Sequence, residues 1–170
     1  TGDTATAFQR IKDFHQVIIQ DLFGEQCSEI NLQVNQLYDN LQQILDSEPS
    51  LSYDYEYDRI ICFGELLSTT IIAAYLERQG RKVKFTDIRK CLITDQNYRN
   101  AGVNLELSAQ LCRKTFTFQN TFMYITQGFI AGTVTNQTTT LGREGSDYTA
   151  ALLANLLDAD DVTIWKDVPG

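Results

Sequence analysis

The residues best suited to chemistry are concentrated in one stretch, Thr138-Thr139-Thr140-Leu141-Gly142-Arg143-Glu144-Gly145-Ser146-Asp147-Tyr148-Thr149. Two glycines let a strand-to-helix loop pass close to a ligand, and Ser146 and Asp147 fall at the start of a helix, where backbone N–H groups have no intrahelical acceptor. Such a turn can hold an anion without any positive net charge. Arg143 adds a planar fork that grips a carboxylate through two parallel hydrogen bonds, which lysine cannot reproduce. As a pattern alone, Gly-x-x-Gly-Ser-Asp serves a plain helix cap as well as it serves a ligand. It is neither the Gly-x-x-x-x-Gly-Lys-[Ser/Thr] phosphate loop nor the Gly-x-Gly-x-x-Gly dinucleotide fingerprint.

Other residue types narrow the chemistry by exclusion. His15 is the single histidine; any Ser-His-Asp, Cys-His or multi-His metal chemistry would rest on it alone, and its plain reading is a helix-surface or half-buried residue. Cys27, Cys62, Cys91 and Cys112 lie 35, 29 and 21 apart with no Cys-x-x-Cys. Neither a zinc ribbon nor a thioredoxin-type motif is present, and reduced, mostly buried thiols of a cytoplasmic protein are expected. A formal net charge of −8 with no Lys/Arg stripe argues against nucleic acid or an anionic membrane as partner. No apolar run approaches the roughly 18 residues that cross a bilayer, so neither a membrane span nor a signal peptide is expected. At 170 residues, 43% hydrophobic and 21% charged, the chain has the profile of one globular domain.

The elements that must position the loop follow from periodicity. From Thr4 to Phe23, Phe8, Ile11, Phe14, Ile18 and Leu22 recur at helical steps, and Gly24 ends the stripe. Ser28 is placed to cap a second helix with Ile30, Val34, Leu37, Leu41 and Ile44 on one face, which predicts an antiparallel helix pair. Ile60 to Phe63 is too short a run to decide between strand and helix. Glu65 to Gln79 is a helix stopped by Gly80, Val83 to Asp87 a strand, residues 91 to 94 a further candidate strand, and Leu105 to Lys114 a helix. Phe122 to Thr126 reads as a strand, Thr133 to Thr140 as an exposed hairpin or flap, and Ser146 to Leu157 as an apolar helix. Val162 to Trp165 reads as a strand, with Trp165 in the core. Helices alternating with such strands predict an α/β domain with a mainly parallel sheet.

Four ordered blocks carry a family resemblance. Phe63-Gly64-Glu65-Leu66-Leu67-Ser68, Ile125-Thr126-Gln127-Gly128-Phe129-Ile130, Thr138 to Leu152 and Ile164-Trp165-Lys166-Asp167-Val168-Pro169-Gly170 resemble the aspartate kinases of the amino-acid kinase family, as does Asp87-Ile88-Arg89-Lys90 at a strand end. The resemblance covers about residues 54 to 170 and is nearer to the single-function, lysine-sensitive kinases than to those fused to homoserine dehydrogenase. It implies a three-layer α/β/α sandwich of the carbamate kinase-like type. It also implies transfer of the γ-phosphoryl group of MgATP to the β-carboxylate of L-aspartate, the entry step to lysine, threonine and methionine. By position, Arg143 would bind the substrate's carboxylate and Glu65 its α-amino group. Ser146 and Asp147 would hold the substrate at the helix start, and Lys166 and Asp167 would begin the nucleotide contacts. The resemblance resolves residues 54 to 63 as a short helix leading into Gly64-Glu65. A carboxylate nucleophile is already ionised at neutral pH, so the absence of a catalytic histidine fits.

Two positions depart from the family pattern: Glu144 stands where glycine is common, and Lys166 stands where threonine is usual. The phosphate-binding Lys-Phe-Gly-Gly-Thr-Ser strand has no counterpart in the 170 residues. They are therefore expected to be a partial catalytic domain, incomplete at both ends, without the rest of the nucleotide site or the regulatory ACT domains. By itself the segment is expected to be inactive, and the full-length protein is expected to form a homodimer. The alternatives are a non-enzymatic aspartate-binding or assembly module of the same fold, the kinase part of a fused enzyme, or a kinase with another acceptor, as in glutamate 5-kinase or acetylglutamate kinase.

Overall fold

Apolar residues three and four apart fold the first half of the chain into three long helices. The structure, a computed structural model, describes residues 4–119 and 121–166. Helix α1 (Thr4–Phe23) buries Phe8, Ile19 and Phe23, and Gly24, in the left-handed region at φ +58°, turns the chain away. Helix α2 (Ser28–Asp46) buries Ile30, Val34, Tyr38 and Leu41. The pair is antiparallel as expected, with Thr4 and Phe8 lining a groove with Gln42 and Asp46, and Gln16 lining one with Asn35. Ser28 does not cap α2; Cys27 holds the cap position and makes no side-chain cap bond. His15 is half-buried, its Nδ1 2.8 Å from the Ile11 carbonyl and its ring edge-on to Phe14 and Tyr38.

Helix α3 (Tyr53–Arg78) corrects the reading of residues 54 to 63. They form no short separate helix; 26 residues run as one. The Ser52 hydroxyl caps it, accepting from Tyr55 N at 3.4 Å. Gly64 and Glu65 lie in the middle of the helix and do not start it. A lone glycine costs about 1 kcal/mol against alanine. That is too little to break a helix whose neighbouring turns bury Cys62, Phe63, Leu66, Leu67 and Ile71. Among the described residues α3 is also long and apolar enough to cross a membrane, at mean hydropathy 1.5. The expectation of no such segment counted only unbroken apolar runs, whereas Gly, Ser, Thr and Ala spread the apolar content of α3 over a longer window. Those apolar residues form the centre of the core.

The strands are short. Strand β1 (Val83–Phe85) pairs in parallel with β3 (Met123–Ile125), Val83 opposite Met123. Strand β2 (Ile93–Thr94) pairs in parallel with β4 (Ile130–Thr133), and β4 runs antiparallel to β5 (Thr138–Thr140). Helix α4 (Leu105–Thr115) starts at an Asn104 cap, the side chain accepting from Leu107 N at 3.1 Å. Helix α5 (Gly145–Leu156) packs on α4, while α3 packs on β1, β3 and β5. This is the expected α/β arrangement of helices on mainly parallel strands.

Two expectations fail here. The hairpin of β4 and β5 is no exposed flap: all of β4 is buried, as are Thr139 and Thr140, and only the tip near Val134 is exposed. Thr94 Oγ1 and Thr139 Oγ1, 2.6 Å apart, satisfy each other inside, which is how a threonine-rich strand fits a core. Val162 to Trp165 forms no strand, and Trp165 is 90% exposed rather than core. An apolar run becomes a strand only beside a partner that takes its backbone hydrogen bonds, and no described strand lies there. All four cysteines are free; Cys27 is half-buried and the other three are buried, and burial pushes the Cys62 thiol up to about 11.

Candidate functional site

The loop between β5 and α5 is built from close backbone contacts. Gly142 adopts φ +77°, and a Cβ there would come within 2.9 Å of Asn100 Oδ1 and 3.0 Å of the Arg99 carbonyl. Leu141 N donates to the Phe129 carbonyl at 2.8 Å, and Phe129 N donates to Thr149 Oγ1 at 3.0 Å. Gly128 lies so close to α5 that a Cβ would sit 2.9 Å from Ser146 Cα. Residues 127–129, 140–142 and the start of α5 are therefore packed as one unit. Three non-glycine residues around it hold left-handed backbone: Arg99 at φ +66°, Phe129 at +67° and Glu144 at +56°. Left-handed non-glycine residues cost about 1 kcal/mol or more each and collect at functional sites.

Arg143 opens onto a cleft of about 290 Å³ lined by Tyr57, Arg99, Phe129, Thr140, Gly142 and Arg143. Two exposed guanidinium groups thus face one polar hollow. Arg99 reaches it from a loop after β2, held by Asp54 at 3.1 Å and lying 4.8 Å over the Tyr57 ring. Ser146 and Asp147 occupy the first turn of α5, just beyond this lining; Ser146 is exposed and Asp147 half-buried. Glu144 occupies the helix-cap position without a side-chain cap bond. Its left-handed backbone explains why glycine suits that position.

Glu65 projects from the middle of α3 and does not line the cleft. It joins the loop indirectly: the Thr69 hydroxyl donates to the Glu65 carbonyl at 2.6 Å and accepts from Gln127 Nε2 at 2.9 Å. Gln127, 1% exposed, accepts through Oε1 from Ile88 N at 3.0 Å. Burial raises the Glu65 carboxyl above the usual glutamate range. Lys166 forms an ion pair with Asp147, so a residue expected at the nucleotide meets one expected at the substrate. Asp167 lies outside the described residues. Among those described, no group of His, Cys, Asp or Glu could hold a metal ion by itself.

Four contributors escaped the sequence. Gln127 lies in a block that carried the resemblance, but nothing in its type announced a buried bridge. Tyr57 and Arg99 stand outside every motif. Asp58, in no motif either, is 0% exposed and accepts hydrogen bonds from residues 41 and 82 positions away.

The sequence profile of the amino acid kinase family matches residues 5–170. The chain belongs to the amino acid kinase family. The match takes in both N-terminal helices, where no motif was legible. The lysine-sensitive aspartokinase 3 of Escherichia coli is 34% identical over 142 residues, covering 83% of this chain and 32% of its own length. The aspartokinase of Chlamydia pneumoniae is 37% identical over 117 residues, 69% of this chain and 26% of its own. E. coli aspartokinase III, solved in complex with aspartate and ADP in its R-state, matches 100% of this chain and 38% of that one, at TM-score 0.90 and 30% identity. This amino acid kinase chain thus spans about a third or less of the length of these curated relatives.

Proposed function

We propose that the protein is an aspartate kinase that transfers the γ-phosphoryl group of ATP to the β-carboxylate of L-aspartate, giving 4-phospho-L-aspartate and ADP. One observation carries the reading: Arg143 projects beside a glycine-shaped helix start in a polar cleft, within a chain that superposes along its full length on an aspartokinase solved with aspartate and ADP. A β-carboxylate oxygen forms the new O–P bond while the bond from the γ-phosphorus to the β,γ-bridging oxygen breaks, and ADP leaves with that electron pair. The nucleophile arrives ionised, so the protein positions and neutralises rather than removing a proton.

Arg143 takes the substrate's carboxylate in a forked pair of hydrogen bonds, and Glu65 takes its ammonium group. Ser146 and Asp147 offer the first-turn N–H groups of α5, while Lys166 and Asp167 meet the nucleotide. Mg²⁺ would be carried by the phosphates of ATP, where it would neutralise charge on the group being transferred. The reaction is the first committed to lysine, threonine and methionine, in the cytoplasm and in a homodimer of the full-length protein; the free, mostly buried thiols support a reducing compartment.

Trapping the product with hydroxylamine tests this. The full-length gene product is expected to form aspartyl hydroxamate from ATP and aspartate. Arg143→Ala is expected to raise the aspartate KM by about tenfold to a hundredfold, the loss of a charge-assisted pair. Wild-type protein that yields no hydroxamate, or an Arg143→Ala variant with unchanged aspartate KM, refutes the reading.

A further inference from the structure

Asp58 is fully buried in α3, and the transfer just described makes no use of its carboxylate. Its Oδ2 accepts from the backbone N–H groups of Arg99 at 2.9 Å and Thr140 at 2.8 Å, and its Oδ1 accepts from the Thr140 hydroxyl at 2.8 Å. An interior carboxylate costs several kcal/mol unless its oxygens are met by donors. Here all three donors are neutral, and they come from the loop after β2 and from Thr140 at the end of β5, where the loop to α5 begins.

The same two loops are locked to each other. Ala101 N donates to the Thr140 carbonyl at 3.0 Å, and Gly142 is packed against Arg99 and Asn100 without room for a side chain. Each loop then delivers one arginine to one cleft, Arg99 from its left-handed turn and Arg143 three residues beyond Thr140. Among the described residues, Asp58 is the one side chain bonded both to Arg99 N and to Thr140, where the loop to Arg143 begins.

The geometry points to Asp58 as a positioning residue that fixes the spacing of Arg99 and Arg143 and so sets how the cleft grips the carboxylate of the amino-acid substrate. This rests on the aspartate kinase reading. A buried Asp serving stability alone would lower the folded fraction and leave the folded enzyme's preference between substrates untouched. A positioning Asp acts through Arg143, so its loss weakens aspartate binding selectively and matters little once Arg143 is gone.

Steady-state kinetics on the full-length gene product separates the two. Asp58→Asn keeps the size but turns one acceptor into an N–H donor facing other donors. In folded protein it is expected to raise the aspartate KM about tenfold while the ATP KM stays within about twofold. In an Arg143→Ala background the same change is expected to add less than about twofold. Thr140→Val removes only the hydroxyl bond to Asp58 and is expected to raise the aspartate KM about threefold; it decides the matter if Asp58→Asn does not fold. An unchanged aspartate KM in a folded variant, an equal rise in both KM values, or a full multiplicative effect in the Arg143→Ala background overturns the assignment. Wild-type protein without hydroxamate formation refutes the kinase reading instead, and that control comes first.

Discussion

Half-burial in α3 leaves the Glu65 carboxyl short of water, and its proton is held more tightly than that of an ordinary glutamate. The folded state therefore binds more protons than the unfolded one across the window between the usual glutamate range and the raised value. Stability falls as pH rises through that window, and the penalty is fully present above it. Glu65→Gln is expected to raise the melting temperature at neutral pH, the gain fading below the glutamate range, while aspartate affinity drops because the ammonium partner is gone. Paired thermal melts near pH 4 and pH 7 check the first part. Glu144 gives a cleaner case. Its left-handed backbone costs about 1–2 kcal/mol, partly offset in Glu144→Gly by the greater freedom of glycine when unfolded. The substitution is expected to stabilise by up to about 1 kcal/mol in urea unfolding. The sequence marked residue 144 as unusual, but only the dihedral says why.

Among the elements, glycine and tyrosine positions make the sharpest tests. A Cβ on Gly132 would come 2.2 Å from the Arg89 carbonyl, so β4 and the turn over residues 88–90 could not both keep their places. Gly132→Ala is expected to cost about 3 kcal/mol or more, seen as a lower urea midpoint. Tyr38 is buried between α1 and α2 with its ring edge-on to Phe8, and its hydroxyl has no partner among the described residues. Burial pushes that phenol from 10 to about 12. The folded state then keeps its proton longer than the unfolded one, so stability declines as pH rises from 10 towards 12. Tyr38→Phe is expected to stabilise by about 1 kcal/mol at neutral pH and to flatten that alkaline decline, both measurable by chemical denaturation. Helices α1, α2, α4 and α5 were legible because each has a continuous apolar stripe that only a helix can bury. The unity of α3 was not, since Ile60 to Phe63 is too short a run to show helical periodicity and the packing that carries the helix through Gly64 forms only on folding. The hairpin of β4 and β5 was legible in type but not in depth, because its threonines pair with one another through the fold. Asp58 was invisible for the same reason: its three donors meet it only after the chain has folded back.

At the scale of the whole molecule, the motif residues stand on separate supports. Arg143, Ser146 and Asp147 ride on one rigid loop and helix start, Glu65 reaches it through Thr69 and Gln127, and Lys166 touches it through Asp147. No Lys-Phe-Gly-Gly run occurs in the 170 residues to supply a phosphate-binding lysine. On the aspartate kinase reading, the 170 residues alone are expected to produce no aspartyl hydroxamate and the full-length gene product to produce it, and a single end-point assay compares them. Left-handed backbone at Arg99, Phe129 and Glu144 has a practical bearing on laboratory evolution. Glycine relieves the backbone at all three. At residue 144 that exchange spares every group proposed to touch substrate, but at 99 and 129 it removes a guanidinium and a ring from the cleft. Libraries screened only for survival after heating would collect glycine at 144 and keep Phe129, whose ring packs against the core and outweighs the strain of its own backbone.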